Sequence, residues 1–131
     1  MSTDETVSEV VEVLQQLGLK EYEAKCFVGL SRLSTATAKQ LSEITDVPRT
    51  RVYDAVRLLE AQGLVEVQHA SPQRFRAVSL DEATETLRDQ YEARVERLAN
   101  AFEQADPVEL TDEAPVQEVW SMSGTDAIAN R

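Results

Sequence analysis

The chain has 131 residues, of which 42% are hydrophobic, and its formal net charge is −11. This length suffices for one domain with an appended element and is short for two full domains. A single cysteine, Cys26, excludes an internal disulfide, and with His69 as the lone histidine no ligand set for a structural metal is expected. Because no apolar run approaches the ~20 residues of a membrane span and the first residues are acidic, we predict a cytoplasmic protein without membrane contact.

The acidic charge is unevenly distributed along the chain. Residues 34–79 carry six basic and five acidic side chains, whereas residues 80–131 carry four basic and thirteen acidic ones. Phosphate backbones repel an acidic protein, so the net charge argues against a nucleic-acid partner, but this argument does not apply to the middle third. Arginine outnumbers lysine ten to three, which together with the acidic excess is typical of a halophilic protein.

Helical periodicity predicts two helices in the first third of the chain. Residues 7–17 form the first, and Gly18 is placed as its C-terminal cap. In the second, Tyr22, Cys26, Leu30 and Leu33 recur at helical spacing as one apolar stripe. Cys26 is therefore predicted to be a small core residue, since no histidine or acid lies where it would make the thiol a nucleophile.

A helix-turn-helix is predicted next. Thr37 is followed three residues later by a glutamine, which fits a capping box, and the short helix behind it is expected to bury Ala38, Leu41 and Ile44. The residues TDV then form a tight turn, and Pro48 occupies the first position of the following helix, where its missing N–H costs nothing.

The second helix of this pair presents several arginines to solvent. Val52, Val56 and Leu59 are predicted to point inward, so the opposite face is exposed. That face and the helix N-terminus carry Arg49, Thr50, Arg51, Tyr53, Asp54 and Arg57. Such a helix end suits the DNA major groove, because arginine can make paired hydrogen bonds to guanine and backbone N–H groups can meet phosphate. The alternative is an ordinary solvated face with Asp54 paired to Arg57.

A two-stranded hairpin, or wing, is predicted after this helix. The segments LVEVQH and QRFRAV alternate in polarity around ASP. Phe75 would face inward with Val65 and Val67, whereas Arg74 and Arg76 would face outward, where a wing can meet the DNA backbone.

One long helix is predicted over residues 80–106. Its apolar positions are spaced by four and three residues with one four-residue insertion, a coiled-coil pattern. Because a small domain cannot bury so long a stripe, pairing with a second subunit is favoured over folding back on the first helix. The predicted dimerisation residues are Leu80, Leu87, Tyr91, Val95, Leu98 and Phe102.

Residues 14–87 resemble the DNA-binding domain of the TrmB-type archaeal transcription regulators. The most specific segments are LGLKEYEAK, VPRTRVYDAV, and QGLVEV leading into RFRAV. The resemblance implies a dimeric repressor or activator whose C-terminal domain senses sugars or other metabolites. Two positions depart from the family: Lys20 stands where a capping threonine is frequent, which weakens the capping box with Glu23, and Asp46 stands where glycine is frequent.

Residues 107–131 are predicted to be an acidic linker followed by the start of a further segment. VQEVWSMSG alternates like a strand, and TDAIANR begins a helix. By resemblance these are the first strand and helix of a ligand-sensing domain, which they cannot form alone. The chain is thus either part of a longer regulator or a short relative without a sensor, and a sugar or metabolite effector is expected only for a longer form.

The sequence therefore predicts a mainly α fold with a small β wing (α+β): a winged helix-turn-helix over residues 1–79, a dimerisation helix over 80–106 and a truncated effector-like segment over 107–131. The predicted function is sequence-specific binding of double-stranded DNA by a homodimer on a pseudo-palindromic operator, without cofactor or enzymatic activity. The alternative is a winged-helix protein-interaction module that modulates another regulator by mixed dimerisation. The predicted DNA-binding residues are Thr37, Lys39, Arg49, Thr50, Arg51, Tyr53, Arg57, Arg74 and Arg76.

Overall fold

The computed structural model describes residues 3–108 and 110, which form five helices and one two-stranded sheet. In chain order these are α1 (Thr3–Gln16), α2 (Glu21–Ser31), α3 (Ala38–Thr45), α4 (Arg49–Ala61), β1 (Val65–Gln68), β2 (Arg74–Ala77) and α5 (Leu80–Gln104). The predicted fold class, a winged helix-turn-helix followed by a long helix, is confirmed. The strand and helix predicted beyond residue 115 lie outside the described residues. None of the five helices is both long and apolar enough to cross a bilayer.

Helix α2 lies at the centre of the core. It packs against α1, α3, α4 and β2, while α4 also contacts α3 and β1. Cys26 on α2 is fully buried, as predicted, and this burial raises the pKa of its thiol to about 12. The thiol is therefore protonated at neutral pH, which removes the thiolate form that a nucleophile or metal ligand needs.

Local capping fixes the starts of α2 and α3. The hydroxyl of Thr37 accepts the backbone N–H of Gln40 at 3.2 Å, and the Gln40 side chain accepts the backbone N–H of Thr37 at 3.0 Å, which confirms the predicted capping box. At α2, the Glu23 carboxylate accepts the backbone N–H of Lys20 at 3.1 Å. A lysine ammonium cannot accept the backbone N–H of Glu23, so α2 has only one of the two hydrogen bonds of a capping box.

The turn of the helix-turn-helix is held by side chains of α3. Asp46 adopts a left-handed backbone with φ of 63°. Ser42 donates its hydroxyl to the carbonyl of Val47 at 2.6 Å, and the Thr45 hydroxyl accepts the N–H of Val47 at 3.2 Å. Pro48 precedes α4 as its N-cap rather than forming its first residue as predicted, so α4 begins at Arg49.

Three residues predicted on buried stripes are exposed. Ile44 is 52% exposed, and Tyr22 and Leu33 are each 38% exposed. Ile44 borders an open groove between α1, α2 and α3. Tyr22 lies in the first turn of α2, and Leu33 lies beyond the end of this helix at Ser31. The predicted stripes were wrong at these ends.

The wing is an antiparallel pair in which Val67 lies opposite Phe75 and Glu66 opposite Arg76. Phe75 is buried, and Arg74 and Arg76 are exposed, as predicted. Ala36, just before α3, exchanges two backbone hydrogen bonds with Phe75, at 3.0 and 2.8 Å. The base of the wing is thereby tied to the start of the helix-turn-helix.

The first turns of α5 contribute apolar side chains to the core of the domain. Ala83 and Leu87 are 1% and 4% exposed and belong to the core. Leu87, which the sequence placed in the dimerisation stripe, is thus buried in its own domain. Thr84, which the spacing of four and three residues also places on the stripe, is exposed, and Ala83 lies on the inner face instead.

The rest of the α5 stripe is open to solvent. Its apolar side chains are between 48% and 72% exposed, and we call them the distal stripe: Tyr91, Val95, Leu98 and Phe102.

Candidate nucleic-acid interface

The outer side of α4 carries the residues that the sequence predicted to be exposed. Val52, Val56 and Leu59 are buried on the opposite side, so the helix can turn only this face to solvent. We call it the arginine face; it comprises Arg49, Thr50, Arg51, Tyr53, Asp54 and Arg57, all of them exposed. Because α4 is the second helix of a helix-turn-helix with a fixed turn, these side chains project from a rigid element.

Two of the arginines are available for a partner. Among the described residues, Arg49 and Arg51 make no ion pair and no side-chain hydrogen bond. Arg57 Nη2 lies 3.6 Å from Asp54 Oδ1, and both side chains are about two-thirds exposed. An ion pair this long and exposed contributes about 0–1 kcal/mol and can be exchanged for another contact. Arg57 therefore also remains able to bind a ligand.

The wing borders one side of the arginine face. The ring of Tyr53 meets that of Phe75 edge to face, with centroids 6.5 Å apart. Between α4 and the wing lies a cavity of about 220 Å³ whose polar lining includes Arg57, His69 and Gln73. Gln73 Nε2 lies 3.2 Å from His69 Nδ1 at the wing tip.

The two wing arginines differ in their electrostatic state. Arg76 is paired with Glu66 on the opposite strand through Nε, at 3.0 Å, and through Nη2. The hydrogen bond that Arg76 donates to the Glu66 carboxylate raises the pKa of Arg76 above its usual value. Arg74 lies opposite Gln68 and has no ion pair within the described part of the chain. Arg74 thus presents a free charge, whereas that of Arg76 is compensated.

Thr37 and Lys39 lie at the start of α3. The backbone N–H of Thr37 donates to the Gln40 side chain, and the Thr37 hydroxyl oxygen accepts the backbone N–H of Gln40. Of these groups, only the hydroxyl proton of Thr37 remains available as a donor to a partner. Lys39 is exposed and makes no ion pair with any described residue.

A groove that the sequence did not predict borders the other side of the arginine face. It has a volume of about 820 Å³, and its lining includes Lys20 and Tyr22 from α2 and Arg51 and Leu58 from α4. Lys20 thus adds a basic side chain to the surroundings of Arg51. Periodicity could not reveal this proximity, because it arises from the packing of α2 against α4. No cluster of histidine, cysteine and acidic side chains in the described ranges could hold a metal ion.

Residues 14–81 match the family model described as "Sugar-specific transcriptional regulator TrmB". The HTH-type sugar sensing transcriptional regulator TrmBL1 of Pyrococcus furiosus is 28% identical over 123 residues, which cover 94% of this chain and 36% of the relative. The DNA-binding HTH-type transcriptional repressor TrmBL2 of Thermococcus kodakarensis is 29% identical over 127 residues, which cover 88% and 48%. The chain thus spans less than half the length of these relatives.

Solved structures show the same similarity. A structure of TrmBL2, described as an archaeal chromatin protein with a novel mode of DNA binding, matches with a TM-score of 0.66 and 28% identity over 76% of this chain and 38% of that chain. A possible transcriptional regulator from Methanosarcina mazei matches with a TM-score of 0.55 at 11% identity over 81% of this chain and 91% of that chain. This second match shows a shared fold.

Proposed function

Because the chain belongs to the TrmB family of sugar-specific transcriptional regulators, whose model matches just over half of it, we propose that it is a sequence-specific DNA-binding transcription regulator. It acts as a dimer on a pseudo-palindromic operator. The observation that carries this proposal is the arginine face, which holds exposed and unpaired guanidinium groups at the start of a rigid helix. A sugar or metabolite effector enters the proposal only for a longer form, since the chain aligns with 36% of the sugar-sensing relative.

In this proposal α4 is the recognition helix. Arg49 and Arg51 flank its N-terminus, where free backbone N–H groups and the helix dipole favour a phosphate. Their guanidinium groups can donate two parallel hydrogen bonds to the O6 and N7 acceptors of guanine in the major groove. Arg51 is therefore assigned to base reading. Arg74 and Lys39 are assigned to phosphate contacts, which position the protein without reading sequence.

Dimerisation is proposed to occur through the distal stripe. Four large apolar side chains on successive turns of one helix form a contiguous exposed surface, which soluble monomers rarely present. The same stripe of a second copy would cover it in a coiled coil, as its spacing favours. A two-fold dimer presents two recognition helices to half-sites one DNA turn apart, about 34 Å, hence the pseudo-palindromic operator.

The test is selection of binding sites from a random duplex library, followed by fluorescence anisotropy on a selected and a scrambled site. We expect Arg51→Ala to weaken binding to the selected site by about 1–3 kcal/mol, or roughly tenfold to a hundredfold, and to affect the scrambled site far less. Arg97→Ala on α5 is the matched control, because it removes the same charge far from the arginine face.

The titration is repeated over a salt series from about 0.1 to 2 M, since counterion release supplies less of the affinity at high salt. Equal losses on both DNAs would refute base reading by Arg51. Failure to select any site at any salt would contradict the proposed function and would leave the interaction module, in which the same stripe binds another regulator.

A further inference from the structure

A side chain of α5 caps the C-terminus of α1. Arg94 Nη1 donates a hydrogen bond to the backbone carbonyl of Leu17 at 2.9 Å, across 77 residues of sequence. Leu17 directly follows the last residue of α1, where helix carbonyls lack partners within the helix and carry partial negative charge. The last turn of α1 contains no basic residue of its own. Arg94 therefore supplies the cation that this helix end favours.

The backbone of Gly18 makes room for the guanidinium group. Gly18 has a φ of +114°, which residues with side chains rarely adopt. A Cβ atom at this position would lie 2.6 Å from both terminal nitrogens of Arg94 and 2.8 Å from its Cζ. The guanidinium thus occupies the space of an absent side chain, and we call this contact the Gly18 seat.

The Gly18 seat lies where α5 leaves the domain. Leu87 is buried in the core, whereas Tyr91 and Val95 are about half exposed. Arg94 lies seven residues after Leu87, about 10 Å further along the helix. Helix α5 is therefore held at two separated positions, by apolar packing at Leu87 and by the polar contact at Arg94. Two contacts at different positions along a straight helix determine the direction of its axis.

We propose that Arg94, bound in the Gly18 seat, is a positioning residue that fixes the direction of α5 and thereby the separation of the two recognition helices in the dimer. The inference rests on the proposed dimer of a DNA-binding regulator. From Leu87 to the end of α5 at Gln104 the helix extends about 25 Å, so a change of roughly 10° at its exit moves its far end by about 4 Å. One base pair of DNA rises about 3.4 Å, so this direction decides which half-site spacing fits.

The test measures the distance between the two copies of α4 in the full-length dimer. A spin label on Glu60→Cys, an exposed position of α4, reports this distance by double electron–electron resonance. Cys26 is fully buried and stays unlabelled, and the parent protein without the introduced cysteine serves as the check on this.

We expect a narrow distance distribution for the labelled parent and for the control Arg97→Ala, and a clearly broader one for Arg94→Ala. Arg94→Lys can still donate a hydrogen bond to the Leu17 carbonyl, so its distance distribution should be narrower than that of Arg94→Ala. Gly18→Ala should broaden the distribution as well, because the added Cβ displaces the guanidinium of Arg94.

The matching DNA measurement uses selected half-sites moved apart in steps of one base pair. The parent should prefer one spacing by about tenfold over its neighbours, and Arg94→Ala should lose most of this preference while affinity for an isolated half-site stays unchanged. Sedimentation of each variant verifies that the dimer persists. An unaltered distance distribution and spacing preference in a dimeric Arg94→Ala would overturn this inference alone. If the labelled parent shows no dipolar coupling between two copies, both the proposed dimer and this inference are overturned.

Discussion

Tyr53 of α4 and Phe75 of β2 meet edge to face, with ring centroids 6.5 Å apart and ring planes at 82°. Phe75 is buried, whereas Tyr53 is 40% exposed, so the pair joins the core of the wing to the arginine face. Such pairs contribute about 0.5–1.5 kcal/mol beyond the area that they bury. The orientation of the wing beside α4 therefore depends in part on a residue that is also proposed to contact DNA.

Two substitutions of Tyr53 distinguish the structural role of its ring from the proposed DNA contact of its hydroxyl. Tyr53→Ala is expected to lower the free energy of unfolding by about 1 kcal/mol or more in urea titrations, because the ring contact is lost. Tyr53→Phe keeps the ring and should leave stability unchanged. If the hydroxyl contacts DNA, Tyr53→Phe lowers affinity in anisotropy measurements without a change in stability. A stable Tyr53→Ala variant would show that the ring contact is not needed to hold the wing.

Gly29 allows α2 and α3 to approach closely. A Cβ atom there would lie 2.8 Å from Thr45 Cγ2 and 2.9 Å from Leu41 Cδ1. Leu41 is fully buried, and the Thr45 hydroxyl is bound to the Leu41 carbonyl at 2.7 Å, so neither side chain can move freely. Helix propensity alone predicts that Gly29→Ala stabilises α2 by about 1 kcal/mol, whereas overpacking predicts a loss of about 1–3 kcal/mol. We expect the loss, measured as a lower midpoint of urea unfolding. A higher midpoint would mean that α3 shifts at little cost.

Glu66 holds Arg76 on the wing in a cross-strand pair whose side chains are 58% and 63% exposed. Glu66→Gln removes one negative charge and frees Arg76 for phosphate. We expect tighter binding to all duplexes alike, with the slope of log affinity against log salt steeper by about one unit. Glu103→Gln removes the same charge near the far end of α5 and is the control. Equal effects of the two variants would assign the gain to net charge alone.

Burial of Cys26 predicts a specific pH dependence of stability. The pKa of the thiol is raised to about 12 in the folded chain, above the ordinary value of 9.0 that applies to the unfolded chain. Between these values the unfolded state has lost the proton and the folded state keeps it. The contribution of this thiol is therefore complete below pH ~9 and decreases by up to about 1.4 kcal/mol per pH unit above it.

Urea unfolding at pH 8 and pH 10 measures this contribution. We expect the parent to lose more stability between the two values than Cys26→Ala, in which the titrating group is gone. Iodoacetamide should modify the thiol only in urea, because the folded chain buries it. Rapid alkylation of the native protein at pH 8 would contradict this account.

The distal stripe predicts a substitution that dissociates the proposed dimer without unfolding the domain. Leu98 is 57% exposed in the protomer, so Leu98→Glu disturbs no internal packing. In a coiled coil it would bury a charge, and we expect sedimentation equilibrium to change from dimer to monomer with unchanged far-ultraviolet circular dichroism. Asn100→Glu, on a different side of the same helix, is the matched control. A dimeric Leu98→Glu variant would locate the interface elsewhere.

Contacts within a few residues of each other were predictable from the sequence. The capping box of Thr37 and Gln40, the tight turn around Asp46 and the inner face of α4 all depend on residues that lie no more than three or four positions apart, and the structure contains them. The alternation that placed Phe75 inside the wing and Arg74 outside it is local in the same sense. Residue order determines such features because the interacting groups are held close together by the chain itself.

Tertiary structure decided what covers each face. Leu87 and Tyr91 belong to one apolar stripe, yet the first is buried in the domain and the second is half exposed, because periodicity identifies a face and not its neighbour. The pairing of Arg76 with Glu66 depends on strand register, and the contact of Arg94 with Leu17 depends on how two helices cross. The sequence by itself therefore determined the helix-turn-helix, the wing and the arginine face. Only the packing of distant segments decided which arginines are free and where the long helix leaves the domain, since these depend on distances that local chain geometry does not set.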